Sequence, residues 1–468
     1  MSQNIRLFAI ILSLAILAGC QKDIIENTST TITGSFESGS IGTTEQTGKN
    51  EWEISLSDDN NNSELPASWR SWWYIKMENV STSVSTQITI KNEGWPYYYI
   101  PVYSYDQETW FRFSEEEVTQ QETQTPDEIG ELTIKKKFEQ KEVWIARFYP
   151  YTFSDLEKYL TKLKGNSLVD ISVPGHSQKG KPIYLLKITD PTISQSGKKR
   201  VFMHARTHPA ETPPSFVIEG LVNFLIGGSA EANDILSRFE VYIFPMQNVD
   251  GVIAGNYRST PKSENLEMMW YFDSTNPLEL TSESPVEVTT IHDCAKKLMN
   301  DGGEPITIAL NLHASNSEPD IRPFFYPHFG PATNGYSTRE ASLWNKQLSF
   351  IDRFEANYGE EMIEPITGDG GNSFASKTYP ESWWWANYKD QVMAMTLEMT
   401  YGKAGYSRRI VPDDLRDLGV SLIKSIRDYY DYPLTNYQTM RKRGENIRLR
   451  NLKYPELYPP KAKDESKE

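Results

Sequence analysis

A chain of 468 residues is too long for one ordinary hydrophobic core, so two domains with short tails are expected. Hydrophobic residues make up 38% and charged residues 24%, an ordinary balance for a soluble protein. With 48 basic against 63 acidic residues, a net charge of -15 and no long basic run on which a nucleic acid could release counterions, nucleic-acid binding is disfavoured.

At the N-terminus Arg6 precedes a predominantly apolar run, Leu7 to Ala18, too short for a permanent membrane-spanning helix but laid out as a secretion signal. The run ends in Leu17-Ala18-Gly19-Cys20, which resembles a bacterial lipobox; residues 1–19 are then the removed signal peptide and Cys20 the acylated new N-terminus. Gln21-Lys22-Asp23 resembles the surface-export signal of Bacteroidetes lipoproteins. The expected location is that of a secreted lipoprotein at the outer membrane or cell surface, or on the periplasmic face, touching membrane only through its lipid. Cys294 is the other cysteine, so an internal disulfide is not expected once Cys20 is lipidated.

Residues 20–30 read as a polar tether, and residues 31–148 as an all-β domain. Aromatic and alternating runs, among them Trp72 to Met77, Thr86 to Ile90, Tyr97 to Val102 and Val143 to Ala146, are separated by clusters such as Asp58-Asp59-Asn60-Asn61-Asn62 and Asn92-Glu93-Gly94, a spacing that suggests a β-sandwich. From residue 149 to 435 the pattern becomes α/β with a mixed central sheet covered on both faces. Strands are expected at Ile183 to Ile188, Arg200 to Ala205, Phe239 to Met246, Thr307 to Leu312 and Val392 to Leu397. Helices are expected at Phe153 to Leu163, Ser215 to Leu225, Ser284 to Asn300, Ala341 to Tyr358 and Asp413 to Tyr430. Residues 436–468 form a charged, Pro-punctuated tail.

Ligands in open α/β sheets collect at the carboxyl ends of strands, and four such ends carry polar chemistry. Arg200 to Ala205 leads into Arg206-Thr207-His208-Pro209-Ala210-Glu211, where an imidazole and a carboxylate in one turn can converge on an ion. Thr307 to Leu312 ends in His313. A lone histidine there is ordinarily structural, yet beside His208 and Glu211 it supplies the third ligand of an open zinc site. Phe244 to Gly251 continues to Gly255-Asn256-Tyr257-Arg258, whose guanidinium could stabilise an oxyanion or else serve a surface salt bridge. Finally, Val392 to Leu397 ends in Glu398, where partial desolvation would raise its pKa towards that of a useful general base.

In this order the four segments resemble the zinc carboxypeptidase family, specifically its cytosolic-carboxypeptidase-like branch. Arg206 to Glu211 matches R-x-H-P-G-E except at Ala210, and Asn248 to Arg258 matches N-P-D-G-V-x-x-G-N-Y-R except at Val249. Asn311-Leu312-His313-Ala314 corresponds to D-L-H-x, and Thr396-Leu397-Glu398 to T-L-E. Phe36-Glu37-Ser38-Gly39-Ser40 and Tyr149-Pro150-Tyr151-Thr152 resemble the opening of the branch's N-terminal β-domain and its junction with the catalytic domain. The resemblance implies one zinc ion on His208, Glu211 and His313, an oxyanion stabiliser at Arg258 and a general base at Glu398. It also implies a substrate-contacting tyrosine, with Tyr379 the first candidate and Tyr388 the second. One departure stands out: Glu267 and Met268 occupy the places of the Asn-Arg pair that holds the substrate's C-terminal carboxylate. Met cannot donate to a carboxylate and a nearby Glu would repel one, so another cation (Arg206, Arg322 or Lys377) takes the role or a free C-terminus is not required.

The expected function is therefore zinc-assisted hydrolysis of peptide or amide bonds in a peptide or protein substrate: water is activated at the metal, Glu398 shuttles the proton and Arg258 supports the oxyanion. The missing pair keeps open an endopeptidase or amidase acting on branched or peptidoglycan-type peptides. From a different class, a non-catalytic surface lipoprotein could use the 12 Trp residues to bind glycans or peptides.

Overall fold

The computed structural model describes residues 29–93, 100–121, 129–315, 321–359, 361–366 and 378–432. The signal segment, Cys20, Lys377 and the charged tail lie outside the described residues.

In the first part of the chain, alternation sets the architecture. Trp52 and Ile54, Ile88 and Ile90, and Leu132 and Ile134 are buried at every second position, as period-two sequences dictate. One five-stranded sheet runs in the order Thr31–Thr33, Tyr74–Glu78, Glu142–Ala146, Val102–Ser104, Trp110–Arg112. The other runs Thr44–Gly48, Glu51–Ser55, Thr86–Glu93, Ile129–Lys136, Val118–Gln121. Ile75, Met77, Val143 and Ile145 of the first meet the inner residues of the second in one apolar core, which makes a sandwich. Of the separating cluster expected at Asn92-Glu93-Gly94, Asn92 and Glu93 instead end a strand, paired with Gly130 and Ile129, and Gly94 lies outside the described residues.

Helix α1 (Phe153–Leu163) opens the second part, and Thr152 starts it: its hydroxyl accepts from Asp155 N while the Asp155 carboxylate accepts from Thr152 N. A seven-stranded mixed sheet follows, in the order Val169–His176, Pro182–Ile188, Phe239–Phe244, Lys199–Ala205, Ile306–Ala314, Met393–Met399, Phe324–Tyr326. Both faces are covered. Val201, Met203 and Ala205 point towards α2 (Pro213–Ile226) and the core it shares with the later helices α6 (Thr338–Tyr358) and α8 (Pro412–Asp431). Phe202, Ala309 and Ala394 point towards α5 (Val286–Asn300) and α7 (Pro380–Tyr388). Helices α2 and α8 cross closely because Gly220 and Gly419 lie at the contact: a Cβ on Gly419 would stand 2.0 Å from Val217 O.

Two further helices, α3 (Ala230–Arg238) and α4 (Val249–Ala254), complete the described set, and α4 occupies what the sequence presents as a turn. The strands Lys199–Ala205, Phe239–Phe244, Ile306–Ala314 and Met393–Met399 are mutually parallel, so their carboxyl ends share one edge of the sheet. No helix among the described residues is long and apolar enough to cross a membrane.

Candidate active site

That shared edge gathers the polar strand ends. Immediately after Ala205 the backbone turns through Arg206 at a left-handed φ of 58°, unusual for a side chain of this size. The turn is fixed by the buried Arg206 guanidinium, which donates to Pro209 O, to Tyr151 O at 2.9 Å and to Ser215 Oγ at 2.9 Å. Arg206 is thereby excluded as a carboxylate receptor; its donors already hold the loop that presents His208 and Glu211. Arg322, the second candidate cation, is buried 3.8 Å from Glu364.

His208, Glu211 and His313 converge, with one ligand atom from each lying within 4.8 Å of the others. Glu211 Oε1 is 2.7 Å from His208 Nδ1, Glu211 Oε2 is 2.9 Å from His313 Nδ1, and the two Nδ1 atoms are 3.2 Å apart. The outward nitrogens decide what these inward atoms are. His208 Nε2 is 3.1 Å from Asn265 Oδ1, an oxygen identified as such because it also accepts Glu267 N–H. His313 Nε2 is 3.0 Å from Glu267 Oε2, and both Glu267 oxygens accept from Asn311 Nδ2, at 3.0 and 3.1 Å. Both Nε2 atoms therefore carry hydrogen in the neutral rings, and both Nδ1 atoms are bare lone pairs facing each other and a carboxylate. Three converging acceptors with no donor among them suit a cation, and two imidazoles with one carboxylate suit zinc. Where no cation balances these acceptors, the surrounding carboxylates favour a proton on His313. Burial opposes it, yet Glu267 and Glu211 together push the His313 pKa well up. Burial likewise acts to raise the Glu211 pKa, but His208 and His313 outweigh it and hold the carboxylate far below its ordinary range.

Glu398 pairs with His313 across neighbouring parallel strands, which places it beside this cluster. Its pKa is pushed up to about 8, first by burial and then by the charges of Glu211 and Glu267, with His313 and Arg258 opposing. Glu398 Oε2 is buried and has no hydrogen-bond partner among the described residues. Arg258 is half-buried, and its charge acts on His208, Glu398 and Tyr379. Tyr379 caps α7, half-buried, with burial and the charges of Glu267 and Glu381 raising its pKa and Arg258 lowering it. Tyr388, the second candidate, packs instead against Trp383 and Trp384 with ring centroids 5.8 and 5.7 Å away, so it belongs to the core under α7.

The model of the zinc carboxypeptidase domain matches residues 156–316, and that of the cytosolic carboxypeptidase N-terminal domain matches residues 32–148. The chain carries a zinc carboxypeptidase domain preceded by a cytosolic carboxypeptidase N-terminal domain. Cytosolic carboxypeptidase 3 of Bos taurus is 23% identical over 445 residues, covering 86% of this chain and 40% of the relative. Cytosolic carboxypeptidase 2 of Macaca fascicularis is 35% identical over 141 residues, covering 29% of this chain and 17% of the relative. The chain thus spans well under half of these curated relatives. Among solved structures, a putative carboxypeptidase A from Shewanella denitrificans superposes with a TM-score of 0.69 at 21% identity, covering 86% of this chain and 99% of that one. A metallo-carboxypeptidase from Pseudomonas aeruginosa, in complex with (2-guanidinoethylmercapto)succinic acid, gives 0.66 at 21% identity, covering 86% and 99%. These structural likenesses establish the shared carboxypeptidase fold.

Within this carboxypeptidase fold, several residues that face the site escape a reading based on strand ends. Asn265 caps a short 3₁₀ turn, Leu266–Met268, that contains Glu267, and only contact reveals that the two support the imidazoles. Glu267 is turned inward onto His313, whereas Met268 is 44% exposed, so neither offers a donor to a substrate carboxylate. Glu381, the second residue of α7, is buried and accepts from Thr396 Oγ1 at 2.7 Å, and burial together with Glu267 pushes its pKa up to about 7.

Proposed function

We propose that this chain hydrolyses peptide or amide bonds with His208, Glu211 and His313 holding one zinc ion, Glu398 as general base and acid, and Arg258 supporting the oxyanion. The convergence of three lone-pair donors beside Glu398 Oε2, buried and without a hydrogen-bond partner among the described residues, carries the reading. Bound there, zinc supplies Lewis acidity and makes water easier to deprotonate. Glu398 takes the proton from the attacking water at its free Oε2 and later delivers it to the leaving amine. The Arg258 guanidinium donates to the carbonyl oxygen as negative charge develops on it. Tyr379, at the mouth of the same group of charges, contacts the substrate. Replacing Glu398 with Gln is expected to abolish turnover while zinc stays bound; an E398Q enzyme that still turns over would refute the assignment.

A second reading, an endopeptidase or amidase on branched or peptidoglycan-type peptides, is favoured by one observation: Glu267 is committed to His313, Met268 faces solvent and Arg206 is immobilised. Matched peptides with free and amidated C-termini separate the two, because an exopeptidase that requires the carboxylate fails on the amides. We further propose export as a lipoprotein through Cys20, supported by the Leu17-Ala18-Gly19-Cys20 pattern. Fatty-acid labelling that is lost in C20A tests this, and labelling that persists contradicts it.

A further inference from the structure

The turn that presents Arg258 is held from the other domain. At its start, Gly255 ends α4 with φ 74°, and a Cβ there would stand 2.2 Å from Gly39 O of the β-domain. The neighbouring Ser38 donates its N–H to Ile253 O at 3.1 Å and its hydroxyl to Val252 O at 2.7 Å, tying the β-domain to the last turn of α4. Beyond Gly255 the buried Asp59 carboxylate accepts three consecutive backbone N–H groups: Tyr257 at 2.6 Å, Arg258 at 2.8 Å and Ser259 at 2.8 Å. The Ser259 hydroxyl adds a fourth bond at 2.9 Å. Burial raises the Asp59 pKa, and these donors work against that rise. Asn60 continues the contact, donating to Thr260 O at 2.9 Å and accepting from Asn256 Nδ2 at 2.9 Å. Trp69, also of the β-domain, lies under the Arg258 guanidinium, 5.8 Å from ring centroid to its carbon.

Backbone and side chain of Arg258 are thus both gripped by residues that a catalytic domain alone would lack. We propose that Asp59 and Trp69 are positioning residues for Arg258, so that the β-domain completes the active site. This rests on the oxyanion role given to Arg258 above. An oxyanion donor acts only at the place where charge develops, and a misplacement of about 1 Å can cost on the order of 100-fold in rate. Asn at position 59 keeps the size of the side chain but turns an N–H₂ towards N–H donors, which loosens the turn without emptying the site.

The test is a double-mutant cycle in the full chain, with D59N, R258A and D59N/R258A assayed on a peptide that the wild type cleaves, and with zinc content and melting temperature followed in each. D59N is expected to lower kcat about 10- to 100-fold with KM and zinc content little changed, and to have less than about a two-fold effect once Arg258 is gone. An equal loss in both backgrounds would mean that Asp59 acts on folding rather than through Arg258 and would overturn the inference, as would an unchanged kcat. Should D59N fail to fold, W69L carries the same cycle: a kcat loss confined to the Arg258 background supports the inference, and no loss or an equal loss overturns it. R258A as active as wild type would instead refute the role of Arg258 itself, an outcome the cycle separates from the others.

Discussion

Replacing Glu267 with Gln isolates the contact that orients His313. In the folded protein the two Glu267 oxygens accept three bonds: two from Asn311 Nδ2, at 3.0 and 3.1 Å, and one from His313 Nε2 at 3.0 Å. Glutamine has one acceptor, so its N–H₂ must face either Asn311 Nδ2 or His313 Nε2, donor against donor. If the imidazole loses, nothing fixes the hydrogen on Nε2, and the Nδ1 lone pair that should meet the metal is no longer secured. Loss of such an outer partner typically lowers metal affinity about 10- to 100-fold, or about 1.4–2.7 kcal/mol. Zinc affinities of wild type and E267Q, measured by competition with a chelator of known affinity, should differ by that factor, with melting curves confirming that both proteins fold. Affinities within about two-fold of each other would refute the orienting role.

Further outcomes follow from the buried charges. Glu398 must be ionised to act as base, so kcat/KM should rise with pH through its pKa; a bound dication pulls that pKa down, which places the acid limb below about 8. An acid limb that persists unchanged in E398Q would remove Glu398 as the titrating base. Glu381, whose folded pKa of about 7 lies above its ordinary 4.5, is favoured in the fold when protonated and costs stability as pH rises through that interval. E381Q should therefore raise the melting temperature of the metal-free protein at pH 8 and leave it nearly unchanged at pH 4, and the same shift at both would contradict the linkage. Replacing Arg206 with Met strands Tyr151 O and Pro209 O inside the protein and should destabilise it by on the order of 3 kcal/mol in a denaturant titration. The conservative R206K should leave the preference between free and amidated C-termini unaltered; a lost preference would make Arg206 the carboxylate receptor after all.

What the sequence discloses and what it hides divide along physical lines. Long apolar runs flanked by polar residues announce themselves, so the strand Lys199–Ala205 and helices α1 and α5 fall close to where the hydrophobic pattern places them. His208, Glu211, His313 and Glu398 are visible for the same reason, since each follows or ends such a run and the parallel sheet brings those ends to one edge. The edge strand Val169–His176 is largely exposed, so burial leaves little pattern in it, and α3 is short with few buried positions. Glu267 reads from sequence as an obstacle to a substrate carboxylate, because nothing in its neighbours says that it faces His313. Asp59 sits in an Asp/Asn cluster that looks like an ordinary turn; its partners Tyr257, Arg258 and Ser259 are remote in the chain, and only the fold brings them together.

The central claim is most directly tested by counting metal. Elemental analysis of the protein purified without chelators should find one zinc per chain, lost in H208A and in H313A although both variants keep the wild-type circular dichroism spectrum. Zinc retained at full stoichiometry in both variants, or a wild-type protein that binds none even when zinc is supplied, would contradict the account.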